Sequence, residues 1–158
     1  MAIDANEIYA TLNDLVETCK DGEWGFHEAA EATRNSRLRA VFQDYVKQRT
    51  RFAAELQVLV SKLGGHPEES GSMGGALHRG WLNIKQAISG HDDGAIIAEA
   101  ERGEDAAVDA YRKALEKDLP TGIRSTVERQ YHEVLEAHNR VRSLELREHG
   151  GRTMVDPL

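Results

Sequence analysis

Apolar residues return every three or four positions through Ile8, Leu12, Leu15, Cys19, Gly22, Phe26 and Ala29, which lays one apolar stripe along a first α-helix. Asp4 followed by Glu7 has the spacing of a capping box, and Asn35-Ser36 breaks the pattern. A second stripe, Leu38, Phe42, Tyr45, Arg49, Phe52, Leu56, Leu59 and Leu63, stops at Gly64-Gly65 with Pro67 just beyond. Glycine accepts a left-handed cap and proline cannot continue a helix, so the second helix should end there.

The stretch Gly65 to Ser72 reads as a loop, and Leu77, Trp81, Ile84 and Ile88 predict a short amphipathic helix stopped by Gly90. Asp92-Asp93 can cap a third long helix with the stripe Ile97, Glu101, Glu104, Val108, Tyr111 and Leu115. Small residues beside that stripe, Ala100, Gly103, Ala107, Ala110 and Ala114, let a neighbouring helix come close. Leu119-Pro120 breaks it, and Thr121 opens a last helix through Val127, Tyr131, Val134, His138 and Val141, expected to end near Glu148 at Gly150-Gly151. Residues 1–149 form the expected bundle, and 150–158 a flexible tail.

No segment alternates as a strand does, so the fold class is all-α. Tight links after the first and third long helices imply two antiparallel hairpins. About thirty residues, Gly64 to Asp93, join them, enough for a crossover along the bundle that contains the short helix. That connectivity is ferritin-like; a five-helix up-and-down bundle is the alternative.

Composition narrows the partners. With 27 acidic against 20 basic residues the net charge is −7, which disfavours nucleic acid. Arg34, Arg37, Arg39, Lys47, Arg49 and Arg51 crowd the second helix, while Asp92, Asp93, Glu99, Glu101, Glu104, Asp105 and Asp109 crowd the third, an expected complementarity within one bundle. The start Met1 to Glu7 is acidic and no long apolar run follows, so neither an export signal nor a membrane span is expected. Cys19 has no cysteine to pair with, which suits a reducing cytoplasm.

Several segments carry a family resemblance: Asp21-Gly22-Glu23-Trp24-Gly25-Phe26, Phe52-Ala53-Ala54-Glu55-Leu56-Gln57, Leu77-His78-Arg79-Gly80-Trp81, Glu101-Arg102-Gly103-Glu104-Asp105 and Gln130-Tyr131 with Ala137-His138. From about Glu7 to about Arg147 the chain resembles a bacterial ferritin-like family catalogued as a domain of unknown function. The resemblance implies a four-helix ferritin-like domain and withholds an activity.

Candidate chemistry lies where ionisable residues interrupt the stripes. Arg49, Glu101, Glu104 and His138 stand at inward positions, and a second register of the first helix, through Tyr9, Leu12, Val16, Cys19, Glu23 and Phe26, brings in Glu23. Folding the hairpins back puts these residues at one level. Read as a metal site, Glu101, Glu104, His138 and Glu23 would hold iron or manganese with carboxylate and imidazole. The Glu-x-x-His motif fails twice, however: Glu55 is followed by Val58, and His138 is preceded by Leu135.

The preferred reading is therefore a structural ion-pair network of Glu23, Arg49, Glu104 and His138, with no cofactor expected. Two classes follow: an interaction or structural module that pairs as a homo-dimer or other homo-oligomer, leaning away from an enzyme, or a metal-binding or redox protein. Elsewhere, Trp81 reads as the anchor of the crossover, with His78 beside it as a candidate surface residue, and Gly71 to Gly75 reads as a hinge. Cys19 reads as a small buried hydrophobe, and His132 and His149 as solvated.

Overall fold

The computed structural model describes residues 4–65, 80–90 and 92–154, the stretch 145–154 as backbone only. Five helices result, with no strand among the described residues: α1 (Ala5–Ala32), α2 (Ser36–Lys62), α3 (Ile84–Ser89), α4 (Asp93–Leu115) and α5 (Thr121–Met154). None is long and apolar enough to cross a membrane.

Local chemistry sets the helix ends. The Asp4 carboxylate accepts from the Glu7 amide at 2.9 Å, Asn35 accepts from the amides of Arg37 and Leu38, and Asp92 accepts from the Gly94 amide at 2.9 Å. Each satisfies donors that the first helical turn leaves orphaned, which stabilises a helix start by roughly 1 kcal/mol. α2 stops where Gly64 turns to a φ of 85°, a left-handed conformation that suits glycine.

Two expected boundaries differ. Among the described residues the short helix runs Ile84–Ser89 and leaves out Trp81, which follows Gly80 at a φ of 77°, outside helical backbone. Leu77 and His78, the loop from His66 to Ser72 and the Gly71 to Gly75 hinge lie outside the described residues. At the other end α5 runs through Gly150-Gly151 to Met154. Both glycines stand in helical backbone; glycine ends a helix where it leaves that conformation, as Gly64 does. Residues 155–158 and the His149 side chain also lie outside the description.

α1 packs against α2 and α4, α4 against α5, and α5 completes the ring against α2; α3 lies on α1 and α4. Cross-links at the ends reveal the directions. Tyr9, near the start of α1, donates to the Leu63 carbonyl at the end of α2, while Thr33, just past α1, donates to the Asp93 carboxylate at the start of α4, at 2.6 Å. α1 is therefore antiparallel to both. α5 opposes α2 through Arg51 with Glu133 and Arg129 with Glu55. α2 and α4 sit on the diagonal and point the same way.

The interior divides in two. One cluster gathers Leu12, Leu15, Phe52, Leu56, Tyr111, Val127 and Val134; the other gathers Phe26, Phe42, Tyr45, Trp81, Ile84, Ile97 and Val141. Each fully buried large side chain contributes roughly 1.5–3 kcal/mol, so these stripes drive the assembly. Trp81, 2% exposed, is the expected anchor: its indole lies edge-on to Phe26 at 4.9 Å and fits between α1 and α4. A Cβ at Gly25 or at Gly103 would fall 2.1 Å from indole atoms, so the slot exists only because both positions are glycine.

Candidate functional site

The stripe of α2 turns Arg49 inward between Tyr45 and Phe52, and that of α4 turns Glu104 inward between Ala100 and Ala107, so the two side chains meet across the bundle diagonal. Arg49 Nη2 donates to Glu104 Oε2 at 2.7 Å, with the side chains 1% and 0% exposed. Nε donates to Gln48 Oε1 at 3.0 Å, and the guanidinium carbon stands 5.5 Å from the Phe26 ring centre. Burial works against the Arg49 charge, but the carboxylate beside it and their hydrogen bond outweigh that cost and hold the guanidinium above its usual range.

Room for the guanidinium comes from Gly22, where a Cβ would stand 3.0 Å from Nη1. Glu104 Oε1 is buried without a hydrogen-bond partner among the described residues. Such an atom carries a desolvation cost that the Arg49 contact has to offset.

A second polar chain starts one turn away. Tyr111 Oη donates to Gln130 Oε1 at 2.7 Å, which leaves the Cys19 thiol to donate to Tyr111 at 3.2 Å. Gln130 Nε2 donates to Glu55 Oε1 at 2.8 Å and to the Phe52 carbonyl at 3.3 Å, and Arg129 closes the chain on Glu55 at 3.0 Å. Burial pushes the Cys19 thiol up to about 11, the Tyr111 hydrogen bond offsetting part of the rise, and burial likewise lifts Tyr111 well above its ordinary value. Both groups stay protonated near neutrality. Cys19 is the inert buried residue its stripe position implies, since a thiol without thiolate character is a poor nucleophile.

The expected network of Glu23, Arg49, Glu104 and His138 is realised only in its central pair. Glu23, 30% exposed, stays at the rim, where it accepts from Thr50 and faces Lys20 at 3.7 Å. His138 turns to Asp105, Nε2 to Oδ1 at 2.5 Å, instead of to Glu104. Adjacent residues on a helix point about 100° apart, so the rotational setting of α4 decides which acid meets His138. Glu101 is partly buried, and its interaction lies outside the pair.

Among the described residues no group of three or more His, Cys, Asp or Glu side chains is placed to hold a metal ion. Of the expected complementarity of α2 with α4, the described residues include the Arg49–Glu104 pair, since helices on a diagonal reach each other only through long side chains; Arg51 pairs with Glu133 of α5 instead.

Glu99 and Gln130 are buried polar residues that the sequence reading did not place in the core. Glu99, counted there with the acids expected to complement the second helix, is 1% exposed and accepts from the Asn83 amide at 2.7 Å and from Arg102 Nε at 2.8 Å, tying the start of α3 to α4. Gln130 lies between Val127 and Val134 at helical spacing, so its place on the stripe was a usable signal. Tyr111 was read as core, but nothing in the sequence announces its partners.

Compared with known proteins, the chain matches one family model, described as Domain of unknown function (DUF2383), over residues 7–117. That span takes in all but the first two residues of α1, the whole of α2 to α4, and both members of the buried ion pair. No curated protein matches the chain.

Proposed function

Because the chain belongs to this family of unknown function, we propose that it is a ferritin-like, non-enzymatic helical module whose core keeps an ion pair where metal-binding bundles keep their ligands. Two hairpins with parallel α2 and α4 support the ferritin-like connectivity, since a chain leaving α2 beside Tyr9 returns beside Thr33 at the far end. The observation that carries the reading is the Arg49–Glu104 contact of 2.7 Å at essentially zero exposure. A fixed guanidinium supplies the positive charge that a metal ion would otherwise bring.

The module works by association with a second copy of itself in the cytoplasm. Supporting this, the outer face of α2 carries a shallow depression lined by Ala54, Val58 and Ser61, with Val58 52% exposed. The charge of −7 argues against nucleic acid as the alternative partner.

Metal analysis of purified protein, followed by titration with ferrous ion in air, tests the core. The expected result is neither stoichiometric iron nor oxidation; uptake that disappears in Glu104→Ala would replace this reading with an oxidase. Light scattering tests the partner: a dimer of the native chain that dissociates in Val58→Lys is expected, and a monomer at all concentrations would refute self-association.

A further inference from the structure

The crossover segment that carries Trp81 lies across α1 and α4, and α3 packs on those two of the long helices. A helix of six residues is too short to hold itself in water, where roughly 12–15 are needed, and α3 has no side-chain cap at Asn83. It stays in place through what it touches. Trp81 fills its slot, Ile84 is fully buried and Ile88 partly so, while Leu82, 77% exposed, faces solvent together with Lys85 and Gln86.

Space flanks the segment on both sides. A cavity of about 200 Å³ lined by Trp81, Gly22, Gly103 and Arg49 borders the indole, and a depression of about 510 Å³ lined by Asn83, Ala87, Ala95 and Ala98 opens between α3 and α4. Turn hydrogen bonds within the segment, from the Ile84 amide to the Trp81 carbonyl at 3.3 Å and from the Ala87 amide to the Asn83 carbonyl at 2.9 Å, need nothing from the bundle. Across to α4 runs the bond from the Asn83 amide to the Glu99 carboxylate at 2.7 Å.

We propose that the segment from Trp81 to Ser89 is a strap that lifts off as one unit while the four long helices stay folded, with Glu99 as its latch. The strap keeps its own turn bonds on release, and Glu99 keeps Arg102, so the latch gives up the Asn83 bond alone of these. Opening exposes Phe26 and the indole, which opposes it. It also brings water to the Glu99 carboxylate and to the Arg49 guanidinium, each 1% exposed in the closed fold, and relieves the desolvation of two charges.

Segments with few buried contacts open below the global unfolding free energy. The core half around Leu12 and Leu56 receives no strap residue and stays closed. The open state is a cleft between α1 and α4 with Gly25, Gly103 and Phe26 in its walls, through which solvent reaches the Arg49–Glu104 pair.

Acrylamide quenching of Trp81 across a urea series tests the strap, in the full chain with Trp24→Phe so that one tryptophan remains, while circular dichroism follows helix content. Trp81 is expected to become quenchable at urea concentrations that leave helix content unchanged; exposure that coincides with helix loss would overturn the proposal. Amide exchange separates the latch from general weakening. Glu99→Ala removes the acceptor of the Asn83 amide and is expected to speed exchange from Ile84 to Ser89 by about 10-fold or more, with amides around Leu12 and Leu56 at their native rates. Equal acceleration in both places, or none in the strap, would refute it. Should that variant fold poorly, Ile84→Ala loosens the strap at its other attachment, with the same two outcomes deciding.

Discussion

Around Leu12, Leu56, Tyr111 and Val127 the core is closed by the four long helices and the linker residue Leu119, whereas around Phe26, Phe42 and Ile97 it also needs Trp81 and Ile84 from the crossover. The first half is mostly aliphatic and carries the Cys19–Tyr111–Gln130 chain. The second is aromatic, with Phe26 in ring contact with Phe42, Tyr45 and Trp81 at 4.9–5.9 Å. At the boundary stand Arg49 and Glu104, each with one neighbour on its stripe in either cluster. The difference teaches that four helices of this composition fill one end unaided, while at the other glycines at 25 and 103 hold α1 and α4 in register around an indole.

Removing the boundary pair should break the comparison most severely. Glu104→Ala leaves the Arg49 charge buried and alone, an expected loss of ~3–5 kcal/mol in urea unfolding, while Arg49→Met with Glu104→Leu should recover most of it. A single-variant loss below ~1 kcal/mol would mean that the pair does not join the two halves.

Next in size is damage confined to the Trp81 end. Gly103→Ala drives a methyl into the indole and should cost ~1–3 kcal/mol, with Trp81 emission shifted to the red and amide exchange faster near Phe26 than near Leu56. Uniform acceleration across both halves would show that they unfold as one unit.

At the opposite end Tyr111→Phe strips the hydroxyl from Gln130 and Cys19. An expected cost of roughly 1–2 kcal/mol, again by urea unfolding, measures what an unmet Gln130 oxygen is worth in this core.

The smallest effect is alkaline. The folded Cys19 titrates at about 11, above its value in the unfolded chain, so its contribution to stability is complete below pH 9 and is lost as pH climbs through about 11. Cys19→Ala should flatten part of that decline; an unchanged slope in melting temperature from pH 9 to 11 would assign the decline elsewhere, with Tyr111 the first alternative because its shift has the same sign.

Much of the fold was legible in the chain. Helical periodicity located the four long helices, and Asp4, Asn35, Asp92 and Gly64 marked ends where they are found, because a cap is settled by a few consecutive residues. The candidate site was legible in half. Arg49 and Glu104 stood out as charges on apolar stripes, but Glu23 and His138 were drawn into a network they do not join, since a stripe assigns a face and not a partner.

By itself, then, the sequence determined the helical elements, most of their limits and the two charges that had to find each other in the core. Tertiary structure alone decided that Asp105 rather than Glu104 meets His138, that Gln130 completes the Tyr111 chain, and that Trp81 enters a slot between two glycines. Those outcomes depend on the rotation and spacing of helices distant in the chain, where one residue of register turns a side chain through about 100°.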